Sequence, residues 1–229
     1  MTGSPWRRIE PWRVAEWAEP LPAGAPWCAG QLAERVSRLV GGFPVIERQQ
    51  DGLRRAAVAL LLAPDAEGRL AFVLTRRSAR LRSHSGQWAL PGGKVDAGET
   101  VVEACLRELD EELAVRLGPA SVLGRLDDYA TRSGFLISPV VLWSPERLRF
   151  EPDPEEVAFA LEVPLESFDR ADVPRLRPIP ESDRPVIALP VGESWFHAPT
   201  AAVVFQLFEL LRGRCHRVSH YEEPVFAWR

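Results

Sequence analysis

The stretch GGKVDAGETVVEACLRELDEEL, Gly92 to Leu113, carries seven carboxylates in 22 residues against only Lys94 and Arg107. Thr100 with Glu103 three residues later is a capping-box pattern, so a helix is expected to begin at that threonine. At ~100° per residue, Val102, Cys105, Leu106, Leu109 and Leu113 form one apolar stripe that can pack on a sheet. Glu108, Glu111 and Glu112 fall on a different arc. Like charges three and four residues apart cost an isolated helix roughly 0.2–0.5 kcal/mol per pair, so something should compensate. Hard divalent cations such as Mg²⁺ take oxygen ligands and leave positions for water and substrate phosphate. Three carboxylates behind a glycine-rich loop meet that demand, although the same glutamates could simply decorate a solvated helix face.

Immediately upstream, LTRRSARLRSHSGQWALPGG (Leu74 to Gly93) sets Arg76, Arg77, Arg80, Arg82 and His84 ahead of the carboxylates. Guanidinium groups grip phosphate oxygens bidentately and stay charged at any relevant pH. Further out, AAVALLLA (56–63) and LAFVLT (70–75) flank a turn and read as a hairpin of central strands. Residues 121–129, 135–143, 156–163 and 185–191 are also strand-like, and Thr200 to Gly213 reads as a second apolar helix. Strands and helices mix without a βαβ rhythm, which favours an α+β sandwich with a mixed sheet over a doubly wound fold.

Residues 1 to about 27 hold Trp6, Trp12, Trp17 and Trp27 among many prolines and read as an ordered arm, followed by an amphipathic helix through Leu32, Val36, Leu39 and Val40. The expected division is therefore an arm with a helix over 1–50 and a main domain over 51–229. The 229 residues carry a net charge of −4 from 28 basic and 32 acidic side chains, which argues against a general nucleic-acid binder. Cys28, Cys105 and Cys215 are odd in number and far apart, so neither a disulfide framework nor a zinc ribbon is suggested. The N-terminus carries charges and prolines where a signal peptide would be apolar, and no apolar run is long enough to cross a membrane. A cytoplasmic protein acting on a small molecule is expected, with room for a homodimer. Cys215, His216 and His220 have a spacing zinc can use, but with no fourth ligand nearby they read as a polar C-terminal tail.

Gly93, then Glu99, then Arg107-Glu108-Leu109-Asp110-Glu111-Glu112 resembles the Nudix box of the Nudix hydrolases. The resemblance implies an α/β/α sandwich with a mixed sheet and a loop-helix-loop that binds Mg²⁺ or Mn²⁺ and cleaves a diphosphate linked to another moiety. It makes Glu108 and Glu112 the leading metal ligands, with Glu111 and the carbonyl of Gly93 supporting. Glu99 and Arg107 carry over as box residues that hold the loop against the helix. Glu111 or Glu112 is the first candidate for the catalytic base, with Glu155 or Glu156 as loop alternatives. The family's glycine after the double glutamate is Ala114 here, so the helix is expected to run on toward Gly118.

The segment with Val73-Leu74-Thr75, Arg77-Ser78, Arg82, Gly86 and Leu90-Pro91-Gly92-Gly93 is similar to the second signature of the coenzyme A diphosphatase branch. This resemblance, with those of 131–141 and 155–165, spans about residues 55–212. It implies cleavage of coenzyme A or acyl-CoA to 3′,5′-ADP and a 4′-phosphopantetheine product. Arg77 and Arg82 are then the first phosphate contacts, with Arg76, Arg80 and His84 behind them. The alternatives are another Nudix substrate (ADP-ribose, NADH or a dinucleoside polyphosphate) and a non-catalytic module that senses a nucleotide.

Overall fold

The computed structural model describes Leu21 and residues 25–48, 52–80 and 86–228. Trp6, Trp12, Trp17, Arg82 and His84 lie outside the described residues. After α1 (Ala29–Gly41), two long strands, β1 (Arg54–Pro64) and β2 (Leu70–Arg77), form the middle of the molecule. They pair antiparallel only at Leu62–Pro64 with Leu70–Phe72. Below that point they part. The gap is filled by β3 (Trp88–Ala89) on β2 and by β4 (Gly92–Lys94) on β1, so the hairpin expected from the sequence is a splayed one.

On its other edge β1 runs parallel to β7 (Phe135–Trp143), which in turn carries β5 (Val122–Arg125) and β6 (Tyr129–Ala130) antiparallel. The far edge of β2 takes β8 (Val157–Pro164), completing an eight-stranded mixed sheet. A second, three-stranded antiparallel sheet consists of β9 (Arg175–Ile179), β10 (Ser182–Val191) and β11 (Ser194–His197). The single strand expected over 121–129 is broken between Arg125 and Tyr129, because Asp127 and Asp128 turn inward to accept the backbone N–H groups of Ile46 and Arg48.

Strand alternation sorts the large sheet into two faces. Ala57, Ala59, Leu61, Val73, Val140 and Leu142 meet helix α2 (Val101–Leu113) through Ala104, Cys105, Leu109 and Leu113. Alanines on both partners let the helix lie close. Ala104 and Val101 are buried and Val102 and Leu106 only half-buried, so the apolar stripe sits slightly rotated from the sequence expectation. The opposite face, with Leu60, Leu62, Phe72, Leu74 and Val141, packs with α1, the small sheet and α3 (Thr200–Leu211). The result is an α+β sandwich with helices on both sides of a mixed sheet.

Every residue of α3 is buried, which suits a helix hydrophobic all round. Its one amide, Gln206, donates to Asp127 Oδ2 (2.8 Å) and to the His216 carbonyl (2.7 Å). His216 itself is buried with Nε2 2.5 Å from the Tyr221 hydroxyl, and burial holds its imidazole down at about 3. That is a core role in place of a polar tail. Helix α1 shares the core of α3: Trp27 stacks on Phe208 at 5.4 Å and Arg35 Nε donates to the Leu211 carbonyl at 3.0 Å. Trp27→Ala is expected to cost about 3–5 kcal/mol of stability in urea unfolding, as for other large buried aromatics. A loss below about 1 kcal/mol would mean that the segment before β1 contributes nothing to the core.

Candidate active site

The site grows from the point where β1 and β2 part. Gly92 occupies the gap with φ of +147°, and a Cβ there would lie 2.2 Å from the Ala57 carbonyl oxygen. A Cβ on Gly93 would lie 2.3 Å from Glu108 Oε1. Only glycines let this backbone approach both the strand and the helix. The chain then turns into α2 through the expected capping box: Glu103 N–H donates to Thr100 Oγ1 (3.2 Å) and Thr100 N–H donates to the Glu103 carboxylate (2.8 Å). The helix stops at Leu113, short of the expected run toward Gly118. Ala114 takes the left-handed conformation itself, with φ of 54°. Its N–H donates to the Asp110 carbonyl (2.9 Å), that of Val115 donates to the Leu109 carbonyl (3.1 Å), and Val115 enters the core. These contacts offset the strain of a Cβ in that region.

Glu108, Glu112 and Glu156 each offer a carboxylate oxygen within 4.8 Å of one another. Glu108 and Glu112 are four residues apart and so ~40° apart around the helix, whereas Glu111 is ~100° from Glu112. Glu111 is not in the cluster. Its side chain is 57% exposed and is taken by Arg107 Nη1 at 2.8 Å. The third carboxylate comes from the residue before β8. A bulge at Ala158, opposite Arg76–Arg77, shifts the β2–β8 register, Ser78 N–H donates to the Glu156 carbonyl (2.8 Å), and Ser78 Oγ donates to the Pro154 carbonyl (3.1 Å). Glu155, the neighbouring loop candidate, is exposed and ion-paired to Arg80.

Arg107 organises the helix end of the site. It donates through Nε and Nη2 to Glu99 (2.9 and 3.1 Å), through Nη2 to the Lys94 carbonyl (3.0 Å), and through Nη1 to Glu108 (2.9 Å). The guanidinium holds the Glu99 carboxyl below its ordinary range. Glu112 is 2% exposed and accepts the Gly92 N–H at 3.2 Å; its nearest cation, Arg77 Nη1, is 4.0 Å away. Burial pushes its carboxyl up to about 8, and burial likewise raises Glu108 against the pull of Arg107. Arg77 Nε and Trp88 Nε1 are buried with no acceptor among the described residues. Apart from Glu99, these groups line one cleft of about 1060 Å³. Arg76 enters it with its guanidinium 5.0 Å over the Trp88 ring.

Converging carboxylates, with Glu112 buried among them, are the donor set a hard cation requires, and here protein groups only partly neutralise them. The NUDIX domain model matches residues 52–189. The chain belongs to the Nudix family. A Citrobacter koseri protein named as an uncharacterized Nudix hydrolase, NudL, is 38% identical over 54% of this chain and 66% of its own length. A Yersinia enterocolitica protein of the same name is 44% identical over 41% of this chain and 49% of its own. The chain thus spans about half to two thirds of the length of these Nudix relatives. The crystal structure of a MutT protein from Methanosarcina mazei aligns at 23% identity and a TM-score of 0.41, covering 56% of this chain and 83% of that one. Among the described residues no helix is long and apolar enough to cross a membrane.

Glu156 was only an alternative base candidate in the sequence, and Arg132 and Glu223, which also line the cleft, carried no signal beyond the resemblance of 131–141. Without a divalent cation, Glu112 makes stability fall as pH rises. Its folded value of about 8 exceeds the ordinary 4.5, so the folded chain keeps a proton that the unfolded chain releases. Glu112→Gln should therefore melt higher than wild type in EDTA, with a gap absent below about pH 4 and growing to about 4 kcal/mol by pH 8. A constant gap across pH, measured by thermal melts, would show that Glu112 ionises normally.

Proposed function

We propose that the protein hydrolyses the diphosphate bond of coenzyme A or an acyl-CoA, giving 3′,5′-ADP and a 4′-phosphopantetheine product, with Mg²⁺ or Mn²⁺. The observation that carries the hydrolytic reading is the convergence of Glu108, Glu112 and Glu156 at one end of a cleft that also presents Arg76 and Arg77. The choice of coenzyme A is supported by the resemblance of Val73–Gly93 to the coenzyme A diphosphatase signature, together with that of 131–141 and 155–165.

In this reading Glu108 and Glu112 would hold the cation, with the Gly93 carbonyl beside them and Glu156 facing the water between them. A divalent ion bound there would neutralise charge on the diphosphate oxygens and make its bound water acidic at neutral pH. Arg77, whose Nε lacks a protein acceptor among the described residues, donates to a phosphate oxygen. Arg107 fixes the rotamer of Glu108 and ties the loop carbonyl of Lys94 to the helix, so the carboxylates are oriented before substrate arrives. Glu156 is exposed where Glu112 is buried, and it is the loop carboxylate free to take the proton of the attacking water. Glu111 and Glu155 are occupied by Arg107 and Arg80.

The test is incubation with CoA, acetyl-CoA, ADP-ribose and NADH in Mg²⁺ or Mn²⁺, with product analysis. CoA and acetyl-CoA should be cleaved at the highest kcat/KM, and preference for ADP-ribose or NADH would overturn the substrate assignment. Glu112→Gln and Glu156→Gln should each lower turnover on the order of 100-fold with the fold intact, and Glu155→Gln by less than about threefold. Equal losses at 155 and 156 would remove Glu156 from the site.

A further inference from the structure

The cleft continues past the carboxylates. Its floor runs along β1 and β7, where Arg54 pairs with Phe135 and Ala56 with Ile137. Its far wall comes from β11 and the C-terminal segment, through Trp195, His197, Phe226 and Trp228. That segment lies beyond the residues matched by the family domain.

The wall is fastened at several points. The Glu222 carboxylate accepts from Arg132 Nη2 (2.9 Å) and Arg184 Nη2 (2.6 Å), and Arg132 N–H donates to the Glu223 carboxylate (2.6 Å). Trp228 Nε1 donates to the Glu223 carbonyl (3.2 Å), and the Arg132 guanidinium lies 5.0 Å over the Trp228 ring. Ala227 is buried, anchoring the backbone beside Phe226. The Phe226 ring alone stands out, 60% exposed. Its contact with His197 is edge-to-face at 5.8 Å and 90°, which leaves at least one ring face uncovered by that partner.

We infer that Phe226 is the stacking platform for the nucleobase of the substrate, so that the C-terminal segment sets specificity for a nucleoside diphosphate derivative. This rests on the hydrolytic reading only in placing the phosphates at the carboxylate end. A planar base gains from one rigid ring face whatever its hydrogen-bond pattern. A flexible amide chain has to order many rotors to make the same contact. A preformed wall keeps the ordering cost on the protein side small.

The experiment compares AMP with ribose 5-phosphate, which differ only in the base, and with 4′-phosphopantetheine, by calorimetry on the full chain in Mg²⁺. Phe226→Ala should weaken AMP about tenfold, Phe226→Trp should retain it, and ribose 5-phosphate should bind all three proteins alike. The ring is too exposed for its truncation to unfold the chain. An AMP affinity untouched by Phe226→Ala overturns the inference. So does an equal loss for ribose 5-phosphate, or a loss confined to 4′-phosphopantetheine. Turnover separates the two readings. Phe226-dependent AMP binding in a protein that cleaves none of the four substrates overturns the hydrolytic reading alone. Cleavage of ADP-ribose with a KM indifferent to Phe226→Ala overturns the base platform alone.

Discussion

Everything in the site depends on Gly92 and Gly93 lying in the gap between two strands that part after three residue pairs. The gap exists because the β2 edge that leaves β1 is taken up by β3, which exposes the β1 edge at Ala56–Val58 to β4. A backbone seated there points one N–H at Glu112 and leaves no space between Gly93 and Glu108 for a side chain. Strand, loop and helix are thereby locked at backbone distance, and the carboxylates of α2 are delivered to the sheet edge. A side chain at Gly92 would meet the Ala57 and Val58 backbone, which cannot rotate away. The loop would have to leave the gap, and the two glutamates would lose their common focus.

That arrangement is bought with electrostatic stress. Glu112 is buried beside another carboxylate with its nearest guanidinium 4.0 Å away, and Glu108 is relieved mainly by Arg107. Arg107 is shared among Glu99, Glu108, Glu111 and the Lys94 carbonyl, so it holds geometry more than it cancels charge. A chain selected for stability alone would put an apolar side chain at 112. Retaining a carboxyl whose proton is held up to about 8 makes sense where a cation supplies the missing positive charge.

What the sequence made legible was local. The capping box at Thr100, the core face of α2 and the clustering of acid on one helix all follow from spacing along a single element, and each involves partners at most four residues apart. Other features depend on contacts made only once the chain has folded. Glu156 reaches the cluster because a bulge at Ala158 in β8 and two hydrogen bonds from Ser78 place the 153–156 turn there, across about 80 residues. The short strands β3 and β4 contain too few residues for a period to show. Ala114 accepts a positive φ because Val115 gains a place in the core, which no propensity scale for position 114 contains. Helix α1 looked separable by its Pro-rich flank, yet its apolar face is completed by α3, over 150 residues away.

The two ends of the cleft are built on different principles. At the carboxylate end the donors come from one helix and one tight turn, where geometry has to be exact to within a bond's tolerance and glycines enforce it. Elsewhere in the cleft the lining is aromatic, from β7, β11 and the C-terminal segment, and that segment is held by the ion pairs of Glu222 with Arg132 and Arg184. Diphosphate chemistry demands the same charge arrangement whatever is attached, so the first end tolerates little variation. The attached moiety differs from substrate to substrate, and an aromatic wall can change with it without disturbing the carboxylates. Mounting that wall on a segment beyond the residues matched by the family domain, while fastening it to the loop at Arg132, would let the proposed base recognition vary apart from the carboxylates within one cavity.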